Sequence, residues 1–188
     1  MKLLLLYGSP HPLGSDGHTA RLTEAFLKGF GCEPSELFIF DAFAAAPEPC
    51  SDCGACAESN ICARRDLDGL DGALHSADAI VIASPVYHSS VPAPLKAVFD
   101  RTQRYFLAFR RGERVFEKNT RPACLLLTAG QKKENGEVIK TQLHWILPTL
   151  EAVLYDTVVA NGLNSGGITD ELLSRAYDSG KDFRALLR

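Results

Sequence analysis

Residues 78–106 read DAIVIASPVYHSSVPAPLKAVFDRTQRYF. The apolar run 79–83 has no polar alternation, as a strand covered on both faces requires. After Pro85 comes a polar turn. From Ala93 to Phe106 the apolar residues fall at helical spacing. Strand, turn and helix in that order make one βα unit, and a succession of such units builds a parallel sheet.

The same alternation runs outward in both directions. KLLLLYG (2–8) is a buried strand, and HTARLTEAFLKGF (18–30) is a helix ending near Gly29 and Gly31. SELFIF (35–40) is a short strand, and LDGLDGALHSA (67–77) is a weak helix carrying two glycines. ACLLLTAG (123–130) is the fourth strand. GEVIKTQLHWILPTLEAVL (136–154) is an amphipathic helix, expected to kink or break at Pro148, with Trp145 in the core. YDTVVANG (155–162) is the fifth strand, and 169–188 a closing helix capped by Thr169 or Asp170. Five strands alternating with five helices predict an α/β fold, an open doubly wound parallel sheet with helices on both faces. No composition break or repeat divides the chain, so 1–188 is expected to be one domain, with a cysteine-rich loop at 47–66.

Composition narrows the function classes. The 188 residues are 46% hydrophobic and 23% charged, enough for a core without disulfide staples. Lys and Arg number 20 against 23 Asp and Glu, so the overall basic balance of a nucleic-acid binder is missing. The first apolar run stops at Gly8-Ser9-Pro10, too short for a signal peptide. No stretch approaches the roughly 20 apolar residues of a membrane span. The chain is therefore expected in the cytoplasm, off the membrane, where thiols stay reduced.

Ligands of doubly wound sheets sit beyond the carboxyl ends of the strands. Three strand-end motifs stand there. GSPHPLGSDGHTARL (8–22) places Gly, Ser and Thr just before a helix, a natural anion site to which Ser9, Ser15 and Thr19 can add hydroxyls. It matches neither phosphate-loop nor dinucleotide glycine fingerprint, and an ordinary polar turn reads the same way. ASPVYHSSVPAPLKAVFDRT (83–102) puts Pro85, Val86, Tyr87 and His88 at a strand tip, where a planar ligand can lie. TAGQKKENG (128–136) is a small polar loop after the fourth strand.

Together these loops resemble the flavodoxin-like NAD(P)H-dependent FMN reductases, most closely their iron–sulfur flavoprotein branch. The likeness rests on Gly8-Ser9-Pro10-His11 with Gly17-His18-Thr19, on Ser84-Pro85-Val86-Tyr87, and on Leu95-Lys96-Ala97-Val98-Phe99-Asp100-Arg101. Between them the chain carries C-x2-C-x2-C-x5-C at Cys50, Cys53, Cys56 and Cys62. The resemblance implies strand order 2-1-3-4-5 and FMN as cofactor. It puts the FMN phosphate among Ser9, His11, Ser15, His18 and Thr19. The flavin ring would lie against Pro85, Val86, Tyr87 and His88, bordered by Thr128, Ala129, Gly130 and Gln131. It also implies a homodimer or homotetramer. The first loop is longer than the family's usual one. His11 stands where the family usually has Arg or Lys, and His18 where it usually has Asn.

The cysteine spacing is too compact for the usual paired zinc motif. It suits [4Fe–4S] ligation, with Cys62 as the fourth ligand. Two alternatives stay open: a cluster that exchanges electrons with FMN, or the remnant of one. Cys32 and Cys124 read as small buried hydrophobes. In the segment 101–116, Arg110, Arg111 and Arg114 are candidates for the 2′-phosphate of NADPH. The expected activity is electron transfer from NAD(P)H through FMN to a small acceptor such as a quinone, a nitro or azo compound, or a flavin. No side chain is expected to act as a catalytic acid, base or nucleophile, because the flavin carries the chemistry. The rival reading is an electron carrier that relays electrons between ferredoxin, a [4Fe–4S] cluster and FMN.

Overall fold

The structure is a computed structural model and describes residues 1–116 and 120–187. Its strands are β1 (Leu3–Tyr7), β2 (Leu37–Asp41), β3 (Ala79–Pro85), β4 (Arg121–Thr128) and β5 (Ala152–Ala160). Its helices are α1 (His18–Phe30), α2 (Ala42–Ala45), α3 (Asp68–Ser76), α4 (Ala93–Arg101), α5 (Gln103–Arg110), α6 (Glu137–Ile146), α7 (Leu163–Gly166) and α8 (Asp170–Ala185). All strand pairs are parallel, in the order β2-β1-β3-β4-β5. This is the doubly wound, flavodoxin-like arrangement the sequence predicts.

The run LLLLY explains the layering, because every residue of β1 is buried. Side chains alternate along a strand, so a strand covered on both faces must be apolar throughout. Leu3, Leu5 and Tyr7 face a core that includes Phe26 and Phe30 of α1 and Phe183 of α8. Leu4 and Leu6 face the other core, with Leu74 of α3, Leu95 and Val98 of α4, and Leu143 of α6. Each fully buried side chain of this size contributes ~1.5–3 kcal/mol. The chain leaves β1 toward α1 on one face and β3 toward α4 on the other. Their loops therefore diverge, and a crevice opens between them at the carboxyl edge.

Several expected boundaries move. The predicted helix 93–106 is two helices, divided at Thr102, whose hydroxyl donates to the Phe99 carbonyl at 2.7 Å. The predicted helix 136–154 ends at Ile146; a 3₁₀ turn from Leu147 to Leu150 takes up Pro148, and Glu151 turns left-handed at φ 50°. β5 then begins at Ala152, because Ala152, Val153 and Leu154 pair with β4. Pairing with a buried neighbour overrides a helical pattern that local spacing alone supports. Trp145 is 72% exposed rather than in the core, and Cys32 is half-buried, while Cys124 is buried as expected. The short helices α2 and α7 were not expected. The closing helix was expected to reach Arg188, which lies outside the described residues. No described helix is long and apolar enough to cross a membrane.

Candidate functional site

A cavity of about 520 Å³ opens at the carboxyl ends of β1, β3 and β4. Its walls come from the loop after β1, from Pro85 to Tyr87, and from Thr128 to Gly130, and Leu163 and Asn164 of α7 complete it.

The first loop leaves the start of α1 open. Gly17 is its N-cap and offers no side chain, and no acidic residue follows in the first turn. By contrast, Thr169 caps α8 by accepting from the Leu172 N–H, and Asp170 and Glu171 stand in its first turn. Asp41 caps α2 through the N–H groups of Phe43 and Ala44. A helix start carries N–H groups without intrahelical partners and a partial positive charge. At α1 the first of those groups belong to His18 and Thr19, which line the cavity, so this end is suited to an anion.

Hydrogen bonds hold the loop in shape. The Tyr7 hydroxyl donates to the His11 carbonyl at 2.5 Å, and the His11 N–H donates to Ser9 Oγ at 3.2 Å. Burial pushes the Tyr7 phenol above its ordinary pKa, so it stays protonated as a donor. Ser15 Oγ donates to the Pro12 carbonyl at 2.7 Å and accepts from the Gly17 N–H at 3.3 Å. Thr19 Oγ1 and Thr128 Oγ1 lie 2.6 Å apart and join the first loop to the third. Two hydroxyls need only one hydrogen between them, so the second can donate to a third group. Among the lining residues, His11 and His18 are the only side chains able to carry positive charge, and Asp16 is the only acid.

The turn after β3 is strained and latched. Tyr87 and Ser90 exchange both backbone hydrogen bonds, at 2.8 and 3.0 Å. The two residues between them, His88 and Ser89, have φ of 50° and 60°. Such turns usually carry Asn or Gly, and a left-handed L-residue costs ~1–2 kcal/mol. Ser89 Oγ donates to Glu134 Oε2 at 3.0 Å, which ties the turn to the loop after β4. The Gly136 N–H donates to Glu134 Oε1 at 2.8 Å. That bond, then the Ser89 hydroxyl, holds the Glu134 carboxyl below its ordinary pKa.

The cysteine segment forms a second cavity of about 200 Å³, bordered by Cys50, Cys53, Cys56 and Cys62 and walled by Arg101, Gln103, Arg104 and Leu107 of α4 and α5. Cys50 and Cys53 are exposed, and Cys56 and Cys62 half-buried. Burial is the largest cause raising the Cys56 thiol pKa, and the neighbouring Cys62, Cys50 and Cys53 add to it. Among the described residues, no three His, Cys, Asp or Glu side chains converge as ligands of one metal ion. A single zinc ion needs its sulfurs ~2.3 Å from one point. A cluster gives each thiolate its own iron and spreads its ligands wider, which suits four thiols around one cavity. The two cavities share no lining residue.

A family model for NADPH-dependent FMN reductases matches residues 1–165. The chain belongs to that family. Membership makes it an oxidoreductase with FMN as cofactor and NAD(P)H as co-substrate. It is 27% identical to an iron–sulfur flavoprotein of Archaeoglobus fulgidus over 96% of this chain and 77% of that one. It is 30% identical to an FMN-dependent NADH:quinone oxidoreductase of Thiobacillus denitrificans over 74% of this chain and 71% of that one. The fold matches that of an NAD(P)H:quinone oxidoreductase from Methanothermobacter marburgensis with a TM-score of 0.71, at 21% identity, covering 96% of this chain and 94% of the other.

In this chain the first cavity brings together most of the residues expected from the sequence to surround a flavin. Ser9, His11, Ser15, His18, Thr19, Pro85, Val86, Tyr87, Thr128, Ala129 and Gly130 all line it, whereas His88 and Gln131 do not. The Ser15 hydroxyl hydrogen is already committed to Pro12. Of the arginines in 101–116, Arg101, Arg104 and Arg111 lie against the cysteine segment. Arg111 donates to the carbonyls of Cys56 and Ala57 at 3.2 and 2.7 Å and pairs with Glu113. Arg114 Nε donates to the Phe116 carbonyl, and Arg110 stacks over Phe106. Sequence reasoning missed Tyr7, Leu163 and Asn164. Asn164 presses so closely on Gly130 that a Cβ there would collide with its amide group. The residues present fit FMN: an uncapped helix start for the phosphate, and Pro85, Val86, Tyr87 and Gly130 along a wide opening for the ring.

Proposed function

We propose that the protein transfers electrons from NAD(P)H through FMN to a small acceptor, a quinone foremost, and that residues 1–188 act as one FMN-binding domain. The observation that carries this reading is the uncapped start of α1 opening into the cavity formed by all three strand-end loops. When bound, FMN accepts hydride from NAD(P)H and releases electrons to the acceptor. The chain's own residues bind and orient. The N–H groups of His18 and Thr19, with His11, hold the phosphate. Pro85, Val86 and Tyr87 support the ring, and Tyr87, 47% exposed at the mouth, offers a face on which a planar acceptor can stack. The quinone choice draws on the relative that is named for that substrate.

A second reading, relay of single electrons between ferredoxin, a [4Fe–4S] cluster and FMN, is favoured by the four cysteines around one cavity. The likeness to an iron–sulfur flavoprotein over 96% of the chain supports it. Cys50, Cys53, Cys56 and Cys62 would hold the cluster. Under either reading the protein is taken to be a homodimer or homotetramer, for which exposed Phe106, Phe109 and Trp145 offer apolar surface.

Anaerobic stopped-flow mixing tests both. Loss of the flavin absorbance within seconds of adding NADH or NADPH, with recovery on adding a quinone, is the expected result. Loss only with reduced ferredoxin overturns the reductase reading and leaves the relay.

A further inference from the structure

Arg101 is a buried cation that the flavin chemistry does not use. It ends α4, is 5% exposed, and directs its guanidinium wholly at the cysteine segment. Nη1 donates to the Asp66 carboxylate at 2.5 Å and to the Glu48 carbonyl at 3.3 Å. Nη2 donates to the Arg64 carbonyl at 2.8 Å and reaches Cys62 Sγ at 3.6 Å. Glu48 precedes the four cysteines, and Arg64 and Asp66 follow them. One planar group therefore fastens both ends of the segment and touches one of its thiols. Asp66 reinforces the closure by accepting from the Glu48 N–H at 2.9 Å. Only a rigid fork with several donors spans these acceptors, and a lysine ammonium does not.

We propose that Arg101 positions Cys62 as the fourth ligand of the cluster and raises the cluster's reduction potential through its N–H···S hydrogen bond. The proposal rests on the reading that the four cysteines hold a [4Fe–4S] cluster. On reduction the cluster gains one electron and one negative charge, with no bond made or broken. A buried cation donating to a ligand sulfur stabilises the more negative state, and hydrogen bonds to the sulfurs are an established control of cluster potential. Of the four cysteines, Cys62 alone lies within reach of such a donor among the described hydrogen bonds, so the effect enters at one ligand.

The test compares wild type, R101Q, R101K and D66N. Each is reconstituted anaerobically with iron and sulfide, assayed for bound iron, and titrated redox-potentiometrically by absorbance and electron paramagnetic resonance. R101Q is expected to bind less iron. Its potential should fall by at least a tenfold change in the electron-transfer equilibrium, about 59 mV for a one-electron couple. R101K keeps the charge but loses the fork, and should lie between R101Q and wild type. D66N loosens the segment without removing the cation and should not lower the potential. Full iron at the wild-type potential in R101Q overturns the proposal. If R101Q binds no iron, the same result in R101K overturns it. If both Arg101 variants bind none while D66N does, the positioning role stands, and a D66N potential below the wild-type value overturns the tuning role. A wild-type protein that takes up no iron overturns the cluster reading itself, and this proposal with it.

Discussion

The hydroxyls of Thr19 and Thr128 lie 2.6 Å apart, although 109 residues separate them in the chain. Both are buried, one at the start of α1 and one at the end of β4. Their hydrogen bond joins the loop that would hold the FMN phosphate to the loop that would border the ring. Thr19→Val leaves the Thr128 hydroxyl buried with its partner gone, at a cost of ~1–3 kcal/mol. Thr19→Val/Thr128→Val removes both polar groups and should regain part of that loss. Urea unfolding of the flavin-free proteins gives the coupling, and flavin fluorescence titration should show FMN bound about tenfold more weakly in Thr19→Val, the equivalent of ~1.4 kcal/mol. Simple additivity of the two single changes would show that the pair is not coupled.

Gly130 and Asn164 make a second such contact. A Cβ at Gly130 would collide with the Asn164 amide group. Gly130→Ala should therefore destabilise by ~1–3 kcal/mol, as overpacking does, and weaken FMN binding. Asn164→Ala opens the space, so Gly130→Ala/Asn164→Ala should recover most of the stability. Failure of the second change to rescue the first would show that the Asn164 amide is not the source of the crowding.

These two contacts mark where sequence reading stops. The parallel sheet was legible because LLLLY and AIVIA are apolar without alternation, as strands buried on both faces require, whereas its order came only from the family resemblance. Most of the cavity lining was legible because strand-end loops in this fold converge by topology. The end of α6 was not, since L-E-A-V-L suits either helix or strand and pairing with β4 decides it. Trp145 was misplaced because helical spacing does not say which apolar positions find a neighbour. Asn164 and Arg101 act only through residues distant in sequence, so no local pattern marks their roles.

The six cysteines should separate by accessibility. Burial pushes the Cys124 thiol up to about 12, so at neutral pH almost none is thiolate, the reactive form. Cys50 and Cys53 are exposed and Cys32 is half-buried. Maleimide labelling of cluster-free protein, followed by peptide mass spectrometry, should find Cys50 and Cys53 modified first and Cys32 later. Cys124 should be modified only in denaturant. Native Cys124 labelled as fast as Cys50 would contradict the closed core between β4 and α8.

Glu134 gives the strained turn at His88 and Ser89 a pH dependence whose sign is determined. Its folded carboxyl sits below the ordinary value because the Gly136 N–H, then the Ser89 hydroxyl, bond the charged form. In the unfolded chain it titrates near the ordinary glutamate value of about 4.3. A lowered folded pKa contributes stability that is fully present above the unfolded value and is lost as pH falls through the folded one. Glu134→Gln removes the titration and weakens the latch on a turn that costs ~1–2 kcal/mol per left-handed residue. Wild type should therefore melt higher than Glu134→Gln at pH 7, by a gap that narrows from about pH 5 downward. Thermal melts of both proteins across that range check it. A gap that stays constant with pH would mean that the carboxylate charge plays no part in holding the turn.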